Sequence, residues 1–219
     1  MSYCYEYPRP TVTVDAVVVS IRAGRPEVIL IKRKHDPFAG CHALPGGFLE
    51  MTEEPGIGAA RELEEETGVT GVPLQPLFAC GQTGRDPRAR CITLVYGSLV
   101  PSAGLDPHGA DDASEASWMP LLALPPMAFD HARVLEQVIV HLRWQAQTAC
   151  LGRNFLPAEF APEELRDLHR RFAGAQSGDE DPVERGKRLG LLVIGSRAGL
   201  FRFSPLEVCA YPDYAPMVW

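Results

Sequence analysis

The segment from Gly47 to Val69 constrains the fold of this chain more than any other part of the sequence. Pro55 suits the first position of a helix and Gly68 suits the residue that follows the last turn. Between them, small or apolar residues recur at intervals of three and four and predict one buried stripe. These residues are Ile57, Ala60, Leu63 and Thr67. The sequence therefore predicts a glycine-containing turn and then a helix packed on a core.

The same helix carries a dense group of carboxylates. Glu62 and Glu66 are four residues apart and Glu65 lies beside them, on the side away from the predicted stripe. Arg61 precedes Glu65 by four residues and can pair with it. Like charges at this spacing repel one another unless a cation joins them, and carboxylate oxygens select Mg²⁺ or Mn²⁺. The alternative is a solvated acidic face, but the glycine turn before the helix favours a metal site.

These residues match the signature of a known family. The pattern is Gly, five residues, Glu, seven residues, then Arg-Glu-aliphatic-any-Glu-Glu-any-Gly-aliphatic, and residues 47–69 fit it without a mismatch. The chain therefore resembles the Nudix hydrolases. The resemblance implies an α+β fold with an α/β/α sandwich, Mg²⁺ (or Mn²⁺) as the cofactor, and hydrolysis of a nucleoside diphosphate linked to another group.

The resemblance also implies roles for individual residues. The metal ligands would be Glu62, Glu66 and the carbonyl of Gly46. Glu65 would assist them, Arg61 would orient the carboxylates, and Glu53 would brace the loop onto the helix. Phe48, in the approach to the signature, is a candidate for contact with the substrate.

Three arginines precede a predicted strand at residue 91. Arg85, Arg88 and Arg90 lie within six residues, and guanidinium groups bind phosphate in a bidentate manner, so they form a candidate pyrophosphate clamp. A surface turn held by Asp86 is the alternative. The segment resembles the Arg-Asp-Pro-Arg-Gly-Arg motif of a Nudix subgroup that acts on or senses ADP-ribose, with Ala89 in place of the usual glycine.

Two further segments match that subgroup, namely residues 13–17 (TVDAV) and residues 129–131 (FDH). The subgroup contains ADP-ribose pyrophosphatases and Nudix-related transcriptional regulators of NAD metabolism. In the regulators, the Nudix domain senses ADP-ribose and a C-terminal winged helix binds DNA. The resemblance to them also implies a homodimer.

The order of predicted elements indicates two domains. Strands are predicted at 11–22, 27–33, 73–80, 91–100 and 116–119, the first two as a hairpin, and a helix at 130–144. Further helices are predicted at 162–173 and 183–191, and a small hairpin joins 192–194 to 200–203, with a polar connector at 174–183. Helix, helix, short basic helix and hairpin is the order of a winged helix-turn-helix. We therefore predict a Nudix domain at 1–144 and a winged-helix-like domain at 145–219.

Charge alone does not establish DNA binding by the second domain. From Gln145 onward there are nine Lys plus Arg against ten Asp plus Glu, although basic residues cluster locally. Arg185, Lys187 and Arg188 are candidates for DNA contacts, and ordinary solvated surface charge is the alternative.

The net charge, the apolar runs and the spacing of the cysteines argue against several classes of protein. The net charge of −7 argues against a nonspecific nucleic-acid binder. No apolar run approaches the ~18–20 residues needed to span a bilayer, and the N-terminus lacks a signal-peptide pattern, so we expect a cytoplasmic protein without a membrane partner. The six cysteines show no metal-binding or redox spacing, and we assign them no chemistry.

Two functions of different classes remain open. In the first, the chain hydrolyses ADP-ribose to AMP and ribose 5-phosphate, and a carboxylate before Trp118 takes the proton; the candidates are Asp111, Asp112 and Glu115. In the second, the same cleft binds ADP-ribose without turnover and controls DNA binding. We favour the hydrolase, because a pure sensor does not need all four acidic positions of the signature.

Overall fold

A mixed seven-stranded sheet forms the centre of the first part of the chain. The computed structural model describes residues 6–110, 113–147, 150–173 and 180–205. The strands are β1 (Thr11–Arg22), β2 (Arg25–Arg33), β3 (His42–Ala43), β4 (Gly46–Phe48), β5 (Gln75–Cys80), β6 (Cys91–Leu99) and β7 (Ala113–Pro120). Four helices accompany them along the chain: α1 (Pro55–Thr67), α2 (His131–Gln147), α3 (Pro162–Ala173) and α4 (Pro182–Arg188).

Strand β1 organises the sheet. It pairs in parallel with β6 along one edge, and on the other edge it pairs antiparallel with β4 and then with β2. Residues 13–20 of β1 are all buried, as expected for a β-branched run covered on both faces of the sheet. Because β4 pairs with β1, the signature glycines are fixed to the most buried strand of the sheet.

The predicted hairpin of the first two strands is confirmed. β1 and β2 are antiparallel, and their pairing ends at Arg22 and Arg25. Ala23 and Gly24 connect them, with φ values of 45° and 78°. Positive φ at both central residues is the conformation of a type I′ turn, whose twist matches that of the two strands.

The predicted ends of the signature helix are also confirmed. α1 begins at Pro55, and Gly68 follows its last residue with a φ of 69°. The N–H of Gly68 donates to the Glu64 carbonyl at 2.8 Å. A side chain on Gly68 would also overlap the ring of His108. The position therefore requires glycine both for its left-handed backbone and for the space beside it.

The predicted apolar stripe of α1 is wrong in part. Ile57 is 62% exposed, and the buried residues are Gly58, Ala59, Leu63, Thr67 and also Glu66. The helix packs on the sheet through the row that contains Ala59 and Leu63, which is rotated from the predicted stripe. Glu66 lies next to this row, so one acidic side chain of the signature is buried while Glu65 remains exposed.

The chain divides into two compact units, Met1–Gln137 and Val138–Trp219, and the division falls within α2. The sequence-based boundary after residue 144 stays a prediction. In the second unit a 3-10 helix (Cys150–Asn154) precedes α3 and α4, and the strands β8 (Leu192–Ile194) and β9 (Phe201–Phe203) form an antiparallel pair. This order is winged-helix-like, as predicted. Residues 174–179 of the predicted connector lie outside the described residues.

A small apolar core holds the second unit together. Phe160, Leu165, Val183 and Leu192 are buried in one cluster, and the ring of Phe203 lies 4.9 Å from that of Phe160.

α4 begins at Pro182 with Asp181 as its N-cap, and it ends at Arg188, earlier than predicted, because Gly190 has a φ of 69°. Among the described residues, no helix combines the length and apolar character needed to cross a bilayer.

Candidate active site

A cleft of about 440 Å³ opens in the first unit beside α1. Its walls come from β1, β4, the segment 85–88 and the residues that lead into α2. Eight of the residues singled out from the sequence line it: Gly46, Phe48, Arg61, Glu62, Glu65, Glu66, Arg85 and Arg88. The fold therefore brings together the signature helix, its glycine approach and two of the three arginines, although they are far apart in the sequence.

Arg61 forms ion pairs with three acidic side chains of the signature. Its guanidinium donates to Glu53 at 2.7 and 3.1 Å, to Glu62 at 2.8 Å and to Glu65 at 2.9 Å. It also donates to the Phe48 carbonyl at 3.3 Å. These carboxylates raise the pKa of Arg61 against the opposing effect of burial. One guanidinium thus pairs with three acidic side chains and ties the 48–53 loop to α1.

Glu53 fixes the loop before α1. Its carboxylate accepts from Arg61 and, at 2.8 Å, from the Glu50 N–H. The hydrogen bonds from Arg61, followed by that from Glu50, lower the pKa of Glu53 to about 2. Gly58 leaves the room for this arrangement, since a Cβ there would lie 2.9 Å from a Glu53 oxygen.

We expect Glu53→Gln to destabilise the protein in a pH-dependent manner. The folded-state pKa of about 2 lies below the ordinary value of 4.5, so the stabilisation by Glu53 is present above about pH 4.5 and is lost as the pH falls through 2. The difference in urea midpoint between the parent and the variant should therefore shrink over this range. Glu64→Gln, on an exposed position of the same helix, is the charge-matched control. A Glu53→Gln difference that stays constant from pH 7 to pH 2 would contradict this assignment.

Glu66 and Gly46 join the helix to the sheet. The N–H of Gly46 donates to the Glu66 carboxylate at 2.9 Å, and Glu66 is 6% exposed. The carbonyl of the same peptide is held too, because the Ala16 N–H donates to the Pro45 carbonyl at 2.8 Å. The backbone of β4 is thereby placed directly against the acidic face of α1.

Gly47 allows the closest approach between this strand and α1. A Cβ at Gly47 would overlap the carboxylate of Glu62. Burial raises the pKa of Glu62, and the charges of Glu65 and Glu53 act in the same direction, while Arg61 opposes them. The site therefore holds a half-buried carboxylate whose negative charge is only partly compensated by the protein.

The acidic side chains are distributed among protein partners. Within the described ranges, no three His, Cys, Asp or Glu side chains converge on one point that a metal ion could occupy. The physical reason is that Arg61 draws Glu62 and Glu65 to itself, while the Gly46 N–H binds Glu66.

Arg85 is a buried structural arginine as well as a cleft residue. Its guanidinium donates to both carboxylate oxygens of Asp130, at 2.7 and 3.0 Å, and lies 3.7 Å from Asp15. Burial opposes its charge, but the hydrogen bonds to Asp130 and the charge of Asp15 raise its pKa overall. The predicted clamp residue is therefore already bound to carboxylates on the floor of the cleft.

Arg88 lies at the mouth of the cleft. It pairs with Asp86 at 2.7 Å, and its guanidinium lies 5.3 Å from the ring of Phe48 and 5.4 Å from that of Phe129. Its side chain is 43% exposed, so an anion can reach it. The Asp86-held turn and the phosphate clamp, which were alternatives for this segment, are thus compatible at Arg88.

Arg90 and Glu115 are placed away from the cleft. Arg90 donates to the carbonyls of Gln82 and Cys91, and Glu115 lies 3.7 Å from Lys32 across the β2 and β7 pair. Alternation along β7 explains the position of Glu115, because successive side chains of a strand point to opposite faces of the sheet. Neither residue lines the cleft. Asp111 and Asp112 lie outside the described residues.

Several cleft residues were not given roles from the sequence, and two of them are Asp15 and His131. Asp15, on β1, is 4% exposed and accepts from Thr93 at 2.8 Å, and His131, the first residue of α2, is 6% exposed. Both belong to segments that matched the ADP-ribose subgroup, which was the available signal. Their proximity depends on the placement of α2 beside β1, which local sequence patterns do not specify.

The DNA-contact candidates in the second unit are paired with acids. Arg185 and Arg188 both pair with Glu180 at 2.9 Å, and Lys187 pairs with Glu184 at 2.7 Å. Lys187 also lies 4.9 Å from the ring of Phe201. Hydrogen bonds from Arg188, then from Arg185, lower the pKa of Glu180 to about 2.

Comparison with known proteins agrees with the Nudix resemblance that the sequence of the first unit shows. The NUDIX domain family model matches residues 10–138. The ADP-ribose pyrophosphatase of Methanocaldococcus jannaschii is 36% identical over 139 residues, which cover 64% of this chain and 77% of that protein. The alignment therefore includes most of the length of that relative.

Two relatives extend the similarity into the second unit. The ADPR responsive transcriptional repressor NtrR of Acinetobacter baylyi is 29% identical over 174 residues, which cover 77% of this chain and 69% of that protein. The crystal structure of Shewanella oneidensis NrtR complexed with a 27mer DNA aligns with a TM-score of 0.66 and 27% identity, covering 89% of this chain and 94% of that one.

Proposed function

The chain belongs to the NUDIX family, and we propose that, as a Nudix hydrolase, it cleaves ADP-ribose to AMP and ribose 5-phosphate. The observation that carries this proposal is the convergence, in one cleft, of the carboxylates of α1 with the glycine strand and the arginine segment. Carboxylates for a cation and guanidinium groups for phosphate are the two parts needed to bind a diphosphate. The similarity to an ADP-ribose pyrophosphatase supports the choice of substrate.

The oxygen donors of the cleft suit a hard divalent cation, Mg²⁺ or Mn²⁺, although the carboxylates are paired with protein groups in this structure. Glu62 is half-buried with its charge partly uncompensated, Glu66 is buried, and Gly47 leaves no room for a side chain between the strand and Glu62. We propose that Glu62, Glu66 and the Gly46 carbonyl hold the ion, with Glu65 assisting. When bound, it would neutralise the diphosphate and lower the pKa of a water.

The protein side chains orient the substrate and accept the proton. Arg88, at the cleft mouth, is placed to bind a phosphate oxygen, while Arg85 acts through Asp130 as a positioning residue. We assign proton acceptance to Glu65, whose side chain is 45% exposed and lines the cleft. The water oxygen bonds to one phosphorus, the bond from that phosphorus to the bridging oxygen breaks, and the proton of the water passes to Glu65.

Turnover of the full chain tests the proposal. We expect AMP and ribose 5-phosphate to appear when the protein is incubated with ADP-ribose and Mg²⁺, and to be resolved by ion-exchange chromatography. Other nucleoside diphosphate compounds in the same panel should react more slowly, and Glu66→Gln should be inactive. If no monophosphate formed from any member of the panel, the hydrolase proposal would be wrong.

A second candidate function is an ADP-ribose-sensing repressor that binds DNA through the second unit. The order of α3, α4 and the β8 and β9 hairpin favours it, as does the similarity to two regulators along most of the chain. In this function the cleft would bind ADP-ribose, and residues 145–219 would act as the DNA-binding domain of a homodimer. The two functions are compatible in one chain, because both would use the cleft for ADP-ribose and only the second also needs DNA contacts from the second unit.

The ion pairs of α4 make the second function testable. Because Glu180 binds Arg188 as well as Arg185, we expect Glu180→Gln to make the Arg188 guanidinium more available for binding to phosphates. The variant should bind duplex DNA from the protein's own upstream region more tightly than the parent. The slope of log affinity against log salt should steepen by about one for each guanidinium that binds a phosphate.

Glu163→Gln, which removes the same charge from α3, serves as the control, and it should leave the salt slope unchanged. If Glu180→Gln and Glu163→Gln bound DNA equally, the assignment of Arg188 to phosphate binding would be wrong. A salt-dependent complex that ADP-ribose dissolves would support the repressor function.

A further inference from the structure

The peptide segment that leads into the signature is held at three successive residues. The Leu44 N–H donates to Nδ1 of His131 at 2.9 Å, the Pro45 carbonyl accepts from Ala16 at 2.8 Å, and the Gly46 N–H donates to Glu66 at 2.9 Å. We call residues 44–46 the strap. Of these three bonds, the first is the one that involves a side chain from outside the signature. That side chain belongs to His131, the first residue of α2, which lies 87 positions after Leu44.

His131 is built into the floor of the cleft. It is 6% exposed, and its Nε2 lies 3.8 Å from Asp15, which in turn accepts from Thr93 and lies 3.7 Å from Arg85. Arg85 is held by Asp130, the residue directly before His131. The imidazole is therefore oriented from both sides, through Leu44 on one nitrogen and toward Asp15 on the other.

This geometry argues against His131 as a general base. Nδ1 already accepts the Leu44 N–H, so the proton of the neutral ring is on Nε2, which faces the buried Asp15 carboxylate. Burial lowers the pKa of His131, in agreement with a neutral acceptor. As an acceptor, His131 acts on the strap through the Leu44 N–H.

We propose that His131 is a positioning residue that, through the Leu44 N–H, holds the strap so that the Gly46 carbonyl is available to a divalent cation beside Glu66. The inference rests on the proposed function, because it assumes a cation at Glu62 and Glu66. Outer partners that orient metal ligands commonly contribute 10- to 100-fold to metal affinity. Through the strap, His131 of α2 is linked by hydrogen bonds to Glu66 on the acidic face of α1.

Two substitutions at His131 separate the hydrogen bond from the packing. His131→Leu fills the space without an acceptor, whereas His131→Asn places an amide oxygen near the position of Nδ1. We expect His131→Leu to weaken Mn²⁺ binding by about 10-fold or more, measured without nucleotide from the electron paramagnetic resonance signal of free Mn²⁺. Hydrogen exchange at the Leu44 amide should accelerate in the same variant, and His131→Asn should restore both properties toward those of the parent.

Val134→Ala controls for a general loosening of α2, because Val134 is buried in the same helix but does not line the cleft. It should leave Mn²⁺ affinity and Leu44 exchange unchanged. Equal Mn²⁺ affinity in the parent and in His131→Leu, or equal losses in His131→Asn and His131→Leu, would overturn this inference alone. A parent protein that bound no Mn²⁺ would overturn the proposed function as well.

Discussion

Replacing Glu62 by glutamine is expected to lower the rate of ADP-ribose hydrolysis by about 10²- to 10³-fold, as when one preorganised group that stabilises developing charge is removed. Glutamine keeps the shape of the side chain but removes the negative charge that we propose for the cation. The stability of the protein should not fall with the activity. Because burial raises the pKa of Glu62, the folded protein disfavours its charged form, and a neutral side chain avoids that cost.

The measurement for Glu62→Gln combines the initial rate of AMP release with the urea midpoint at pH 7. Glu64→Gln, exposed on the same helix, should keep the rate of the parent. A Glu62→Gln variant that retained more than a tenth of the parent rate would contradict the assignment of Glu62 as a ligand. A loss of activity that paralleled a loss of stability would indicate a structural role instead.

Replacing Gly47 by alanine is expected to lower the hydrolysis rate by about 100-fold, because a displacement of about 1 Å in a catalytic group can cost this much. The added methyl would overlap the carboxylate of Glu62, so either the β4 backbone or that side chain must move. Both carry ligands in our proposal, and the Gly46 carbonyl moves with the strand. Weaker Mn²⁺ binding should therefore accompany the lower rate.

Gly81→Ala is the matched control for this substitution. A Cβ at Gly81 would meet only ordinary van der Waals neighbours, the nearest being 3.4 Å away on Ile92, and Gly81 does not line the cleft. It should leave both the hydrolysis rate and Mn²⁺ binding unchanged. If Gly47→Ala behaved like Gly81→Ala, the close approach of β4 to Glu62 would have no catalytic importance.

Local patterns in the sequence were sufficient for most of the elements. The β-branched run of β1, Pro55 and Gly68 at the ends of α1, and the helix and hairpin order after residue 160 were all predicted, because each depends on neighbouring residues. The signature also specified the acidic group. Its exact helical face was less predictable, since Ile57 is exposed and Glu66 is buried by the packing of α1 against the sheet.

Contacts between distant segments could not be predicted in this way. Glu115 was a candidate base because it precedes Trp118, but the register of β7 on β2 places it beside Lys32. Arg85 was a candidate phosphate ligand, but the start of α2 supplies Asp130, which occupies its guanidinium. The role that we propose for His131 depends on the same long-range placement. Residue types predicted the chemistry of the cleft, whereas the sheet and α2 determine which side chains take part.

Ion pairs with Arg61 link the acidic side chains of the signature to one another. Arg61 pairs with Glu53, Glu62 and Glu65 at once and offsets part of their negative charge. In our proposal, Glu62 and Glu65 exchange part of this pairing for the ion, while Glu53 keeps Arg61 in place. The low pKa of Glu53 agrees with its being the strongest partner of that guanidinium.

The most direct test of the account is an anomalous difference map, recorded at the manganese absorption edge, from crystals of the full chain soaked in Mn²⁺. The account predicts a peak in direct contact with the carboxylates of Glu62 and Glu66 and with the Gly46 carbonyl. If Mn²⁺ bound elsewhere while Glu62 remained paired with Arg61 and Glu66 with the Gly46 N–H, the central claim would be contradicted.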